Sequence, residues 1–258
     1  MEMRTLQLVL QYDGAGFRGW QRQPAGRTVQ GVLEDAIQQL CGERIPVIGA
    51  GRTDAGVHAL GQSAGVRLSD RWTAQSLRRS LNALLPGDVR VSEVNDMTAE
   101  FHARYRAISR SYRYLVGTDE EAENPFRTGR ELAWRRPVHR GLLDAAAQAI
   151  EGEHCFRGFA VRGTAPATDD HRCIVHCARW VDRAGGVAFV VTANRFLHHM
   201  VRFLVGTMLD IAANRKDPGI IARILASNDN GEASPPAPPH GLYLESVKYP
   251  AELYLVNA

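Results

Sequence analysis

The sequence predicts an α+β protein made of two ferredoxin-like βαββαβ-type halves, residues 1–104 and 105–258, with adjoining antiparallel sheets and a central cleft. Three observations predict it. Strand-period and helix-period apolar patterns follow in the order β, α, β, β, α, β from Leu6 through Val91. The same scheme recurs loosely in the second half. The composition, 45% hydrophobic and 23% charged over 258 residues, is that of a globular chain long enough to bury a core.

Leu6, Leu8, Leu10 and Tyr12 alternate as in a first, half-buried strand. Thr28 is placed to cap a helix whose apolar face is Val32, Leu33, Ala36, Ile37 and Leu40. Ile45 to Ile48 read as a short apolar strand, and Ala64, Val66 and Leu68 as an alternating one. Thr73 caps a second helix with Leu77, Leu81 and Leu84 aligned, ended by Pro86-Gly87, and Val89 and Val91 open the next strand. In the second half, Arg110 to Val116 read as a strand and Leu142 to Ile150 as a helix. Arg172 to Val181 and Val187 to Val191 form a hairpin around Ala184-Gly185-Gly186. His198 to Ala213 read as a strongly apolar helix, Asn228 to Pro239 as a loop, and Gly241 to Val247 as the last strand. Two such halves would enclose a cleft, a preferred place for a ligand.

Bulk properties exclude several classes. No apolar run approaches membrane-spanning length, and MEMRTLQLVLQYDG lacks a signal-peptide pattern, so a cytoplasmic protein is expected. Four cysteines are too few for a disulfide scaffold. Cys173 and Cys177, near His171 and His176, lack a second ligand pair at structural-zinc spacing; on a strand they share a face with Val175, as buried thiols would, and no metal is expected. The net charge of +3 does not announce a nucleic-acid binder. Of 31 basic residues only Lys216 and Lys248 are lysine, a usage that suits phosphate contacts and base stacking and equally reflects a composition bias.

The richest stretch for chemistry is Gly49 to Gln62, GAGRTDAGVHALGQ, with Asp54 between Arg52 and His58. Its glycines permit tight turns and close backbone approach, and the flanking strand patterns put the carboxylate on a loop held by one sheet. A single aspartate among glycines is ordinarily a turn residue, and His58 can equally serve to hold the loop backbone. Arg202 lies in the apolar setting Met200-Val201-Arg202-Phe203-Leu204, where an unpaired guanidinium is costly, so it needs an anionic partner; Asp54 is the best offer. Helical spacing places Arg202 with His198 and His199 near the start of that helix. Tyr112 shares a strand face with Arg110 and Tyr114; it can stack on a base, while Tyr114 suits the core better.

GRTDAGVHALGQ closely resembles the signature of the TruA-type tRNA pseudouridine synthases, and the resemblance recurs along nearly the whole chain. It includes YDGAGFRGWQRQ (Tyr12 to Gln23), LPGD (Leu85 to Asp88), FHAR (Phe101 to Arg104), SYRY (Ser111 to Tyr114), FLHHMVRFLVG (Phe196 to Gly206) and HGLYLESVKY (His240 to Tyr249). The resemblance implies the pseudouridine synthase fold and a cofactor-free, metal-free isomerase. Its substrate is uridine at positions 38, 39 and 40 of the tRNA anticodon stem-loop, and it works as a homodimer. It also implies that Asp54 is the nucleophile, that Arg202 is its paired cation, and that Tyr112 lies against the uracil. Arg52 is left to substrate phosphate or base extrusion, His58 is counted with it among the substrate-binding residues, and Leu242 packs against the target base. Gln21, Arg22, Phe101, His102 and Arg104 become RNA-facing or loop-supporting residues.

The chemistry suits these residue types. Uridine becomes pseudouridine when the N1–C1′ bond breaks, the base turns and C5 rejoins C1′, with no second reactant. An ionised carboxylate serves as nucleophile or as the base that starts cleavage, and a nearby cation, for which Arg52 and Arg202 are the two candidates, offsets the rise in pKa that burial would cause. Two competitors are a non-catalytic RNA-binding protein, which has no use for a carboxylate facing RNA, and a metal-dependent hydrolase using Asp54 and the histidines. Two departures from the family pattern are Gly158, where a small polar residue is usual, and the cysteine-rich strand from Cys173 to Cys177.

Overall fold

The computed structural model describes residues 3–164, 168–227 and 229–255; Asn228, the first residue of the expected loop, lies outside them. In chain order the elements are β1 (Met3–Tyr12), α1 (Val29–Cys41), β2 (Ile48–Gly49), β3 (His58–Ser69), α2 (Ala74–Leu84), β4 (Val89–Met97), β5 (Ser109–Gly117), β6 (Leu132–Ala133), α3 (Arg140–Gln148), β7 (Gly152–Cys155), β8 (Arg172–Arg183), β9 (Gly186–Ala193), α4 (Met200–Ala212), α5 (Ile220–Ser227) and β10 (Leu242–Lys248). They belong to two compact units, Met1–Ser109 with Tyr243–Ala258, and Arg110–Leu242. No helix among the described residues is long and apolar enough to cross a membrane.

In the first unit β1 is the central strand, antiparallel to β4 on one side (Leu8 opposite Val94) and to β3 on the other (Leu8 opposite Ala64). The far edge of β3 carries β2, antiparallel at Gly65, and β10, parallel at His58. Alternation puts Leu6, Leu8 and Leu10 on one face, all fully buried, as are Leu33 and Ile37 of α1 and Leu77 and Leu81 of α2. Both helices start where a threonine caps them: Thr28 Oγ1 accepts from Gly31 N–H, and Thr73 Oγ1 from Ser76 N–H. α1 stops at Gly42, whose φ of 83° is left-handed. Only Ile48 of the expected Ile45–Ile48 strand is extended in the sheet.

The second unit has the sheet order β5-β9-β8-β7, antiparallel throughout, with β6 parallel to the edge of β5. The hairpin between β8 and β9 turns at Ala184 and Gly185, the latter with φ 75°. α3 packs on α4 and on β8. β6, of two residues, and β7, of four, are too short to stand out in the sequence, and the eight-residue α5 is not singled out there although Ile220, Ile221 and Ile224 fall at helical spacing and are buried.

Two local differences have clear physical causes. Register slips by one residue between Val175 and Cys177 of β8, so the buried face passes from Cys173 and Val175 to Ala178 and Trp180. Cys177 therefore does not share the buried face with Cys173 and Val175, contrary to simple alternation; it is half-buried, whereas burial pushes the Cys173 thiol up to about 12. Gly158, the departure from the family pattern, is explained by α5: a Cβ there would lie 2.5 Å from Ile224 Cγ2 and 3.0 Å from the Ile224 carbonyl oxygen.

Candidate active site

The Asp54 loop runs from β2 to β3 and is braced through its main chain. Ala50 N–H donates to the Ser63 carbonyl at 2.8 Å, Trp20 N–H to that of Thr53 at 3.0 Å, and Gln62 Nε2 to that of Gly51 at 3.0 Å. Gly56, at φ 80°, lets Val57 N–H turn back to the Asp54 carbonyl at 3.2 Å. The hydroxyls of Tyr12 and Thr53 are 2.8 Å apart, and Tyr12, Thr53 and Gln62 are all buried. Residues on both sides of Asp54 are thus fixed, while Asp54 itself is half-buried and Arg52 exposed. Burial pushes the Tyr12 phenol up to about 12, so it acts at neutral pH as a hydrogen-bonding group and not as an acid.

Two glycines of Tyr12–Gln23, Gly14 and Gly19, admit this loop. A Cβ on Gly14 would lie 2.0 Å from the Val57 carbonyl oxygen, and one on Gly19, at φ 88°, 2.6 Å from that of Thr53. Gly49 in turn faces the Trp20 ring, which a Cβ would meet at 2.5 Å. His58 is 3% exposed and ties the two segments together: its Nδ1 accepts from Gly14 N–H at 3.1 Å and lies 3.1 Å from Asp13 Oδ1. Its ring stacks on Tyr243, centroids 4.7 Å apart. The LPGD turn joins the same assembly, since Asp13 N–H donates to the Asp88 carbonyl at 3.0 Å. Arg27 donates to both Asp88 carboxylate oxygens, at 2.6 and 2.7 Å, and holds that carboxyl below its usual range.

The second unit carries the other expected residues. Tyr112, on β5, is half-buried and meets Phe196 edge to face at 5.0 Å. Tyr114 is fully buried, its hydroxyl donating to the Pro238 carbonyl at 2.8 Å, as expected of a core residue. Arg202 lies in the first turn of α4, its Nε donating to the Ala237 carbonyl at 2.7 Å, while Ala237 N–H donates back to the Arg202 carbonyl at 2.9 Å. Gly206, one turn on, lets this strap approach: a Cβ would lie 2.3 Å from the Pro235 carbonyl oxygen. Burial of Ser234 against Asp210 (2.7 Å) fastens the strap further. Leu242 is buried.

His198 and His199 correct the helical expectation. α4 begins only at Met200, and His199, at φ 62°, is left-handed, so neither histidine occupies helical spacing with Arg202. The structure groups Arg52, Asp54 and His58 within the first unit, and Tyr112, Arg202 and Leu242 within the second. Residues that the sequence did not single out are the loop holders Tyr12, Thr53 and Gln62 and the pair Arg27–Asp88. Tyr12 continues the apolar alternation of β1 and so reads as core; nothing local signals its hydroxyl partner.

Comparison with known proteins gives one answer. A family model described as tRNA pseudouridine synthase matches residues 8–106 and 146–250. The tRNA pseudouridine synthase A of Chloroflexus aurantiacus is 41% identical over 259 residues, covering 97% of this chain and 91% of that protein. Proteins of the same name from Chlorobium luteolum (39% over 249 residues, 96% of each chain) and Caldicellulosiruptor bescii (36% over 250 residues, 96% of this chain and all of that one) are similar throughout.

Proposed function

We propose a reaction site for this chain, which belongs to the tRNA pseudouridine synthase family and is an isomerase converting uridine in tRNA to pseudouridine. Asp54 is the nucleophile of that reaction, acting on uridines 38, 39 and 40 of the anticodon stem-loop. The observation that carries this reading is the bracing of the Asp54 loop. Every segment that fixes it, from Tyr12 to Trp20 and through His58 and Gln62, lies in a stretch matched by the family model.

Arg202 is the cation assigned to pair with Asp54. The Ala237 carbonyl fixes its Nε and so orients the planar guanidinium. Tyr112 lies against the uracil, with Phe196 steadying its ring, and its hydroxyl takes part in proton transfer as C5 loses its hydrogen. Arg52, exposed beside the nucleophile, takes a phosphate of the extruded nucleotide. His58 supports the site by holding the loop, and Leu242 packs against the target base. The isomerisation balances without a second reactant, so no cofactor or metal is assigned.

The finer architecture goes with this reading: two ferredoxin-like halves, residues 1–104 with the nucleophile loop and 105–258 with Tyr112 and Arg202. The β4-β1-β3-β2 order of the first unit supports the first of them. The working form is a cytoplasmic homodimer, in which two arginine-bearing surfaces form one tRNA groove.

The test is tritium release from unmodified tRNA labelled at C5 of uridine, with no added metal and with the product mapped. Wild type is expected to release tritium at 38 to 40, and Asp54→Asn to be at least about 1,000-fold slower. Release that survives in Asp54→Asn removes the nucleophile assignment, and release confined to other positions removes the anticodon-arm assignment.

A further inference from the structure

The segment after β4 carries a surface that the reaction site does not account for. Phe101 and Ala103 point inward into a cluster with Met97, Tyr249 and Leu253, and the Tyr249 hydroxyl donates to the Ala103 carbonyl at 2.6 Å. Ile108 N–H, at the other end, donates to the Lys248 carbonyl at 2.9 Å. Between these anchors the chain turns outward. Arg104 and Arg106 are exposed, and Tyr105 is 74% exposed, far beyond what a core aromatic shows.

This exposed ring is held in place by its own turn. His102 Nδ1 accepts the amide protons of both Arg104 and Tyr105, each at 3.2 Å, so the neutral ring carries its proton on Nε2. Arg106 N–H closes the turn on the His102 carbonyl at 3.0 Å. The imidazole lies 4.4 Å from the Tyr105 ring, centroid to centroid at 33°, and the Arg104 guanidinium lies 5.7 Å from it. Tyr105 therefore has one side backed by His102, and its ordering cost is met before any partner arrives.

Charge decides the kind of partner. Arg104 and Arg106 flank Tyr105 in the turn and are exposed, as is Lys248, whose carbonyl anchors Ile108; the exposed carboxylate Glu100 lies just before the turn and interacts with Arg106. Phe126, 87% exposed, makes the contrast: it follows Asp119, Glu120, Glu121 and Glu123, and the nearby arginines Arg127 and Arg135 are already engaged with Asp119 and Glu123. A two-fold contact between copies of this chain would set the arginines of one turn against those of the other. An aromatic face flanked by guanidinium groups is the arrangement that takes a nucleobase and its neighbouring phosphates.

We infer that the 102–106 turn is an RNA contact separate from the Asp54 loop, in which Tyr105 stacks on an unpaired base and Arg104 and Arg106 hold flanking phosphates. The inference rests on tRNA being the substrate, and it makes Tyr105 a binding residue with no part in the chemistry.

Full-length wild type, Tyr105→Ala, Tyr105→Phe and Arg106→Ala are compared for binding to an unmodified tRNA transcript over a range of salt. Pseudouridine formation is followed in parallel. Tyr105→Ala is expected to weaken binding about 5- to 100-fold and to place its loss in KM, whereas Tyr105→Phe keeps the ring and stays within about twofold of wild type. Arg106→Ala lowers the slope of log K against log salt by about one. Tyr105→Trp should show indole fluorescence quenched by bound tRNA. Wild-type affinity in a natively folded Tyr105→Ala overturns the inference. So does unchanged tRNA affinity combined with weakened self-association in sedimentation, which would give the turn to a second copy. A wild type that binds tRNA without forming pseudouridine refutes the proposed reaction and leaves the Tyr105 comparison readable.

Discussion

The hydroxyl of Tyr12 lies 2.8 Å from the hydroxyl of Thr53, both side chains buried, one residue before Asp54. A strand-end side chain is thereby tied to the backbone that carries Asp54. Tyr12→Phe keeps the packing of the ring and leaves Thr53 Oγ1 without this partner. A loss of about 1 kcal/mol of stability is expected from urea unfolding. A kcat lower by about 3- to 30-fold is expected from a small shift of Asp54, with KM for tRNA within about twofold.

The same phenol makes a prediction at high pH. In the folded chain it holds its proton up to about 12, against 10.0 for an ordinary tyrosine. Between those values the unfolded chain binds fewer protons, so stability falls as pH rises, by about 2 to 3 kcal/mol in all. Unfolding free energies of wild type and Tyr12→Phe, measured from pH 9 to 11.5, should converge and then cross between about pH 10.5 and 11, leaving the variant the more stable at the top of the range.

Gly19→Ala combines a left-handed backbone with a Cβ only 2.6 Å from the Thr53 carbonyl oxygen. Neither can be relieved without moving the loop. A destabilisation of more than about 2 kcal/mol is expected, with activity falling further than stability, as thermal unfolding and tritium release on the folded fraction would report.

The Arg27–Asp88 pair acts in the opposite pH range. Arg27 depresses the Asp88 carboxyl, so the pair's contribution is present above about pH 4 and is lost as pH falls through the lowered value. Both side chains are about a third exposed, 39% and 32%, which limits the pair to about 0.5–1 kcal/mol. Asp88→Asn should differ from wild type by that amount at pH 7 and by nothing measurable near pH 2 in urea titrations.

Much of the fold was legible because its signals are local. The alternation of Leu6, Leu8 and Leu10, the caps Thr28 and Thr73, and the turn at Ala184-Gly185 each depend on a few neighbouring residues and took the predicted form. The Asp54 loop was legible as a loop for the same reason. Its bracing was not, because Tyr12 and Thr53 are 41 positions apart and nothing in either neighbourhood names the other.

The sequence by itself determined the element types of the first unit, the loop that presents Asp54 and, through its motifs, the family. Tertiary structure decided four further matters: the bulge that turns Cys177 off the buried face, the left-handed His199 that starts α4 at Met200, the close approach of α5 to Gly158, and the return of Tyr243–Ala258 to the first unit. Periodicity reports which side of a strand or helix is apolar. It cannot report a one-residue slip, a single backbone torsion or the strand edge a distant segment will take, because those depend on packing partners remote along the chain.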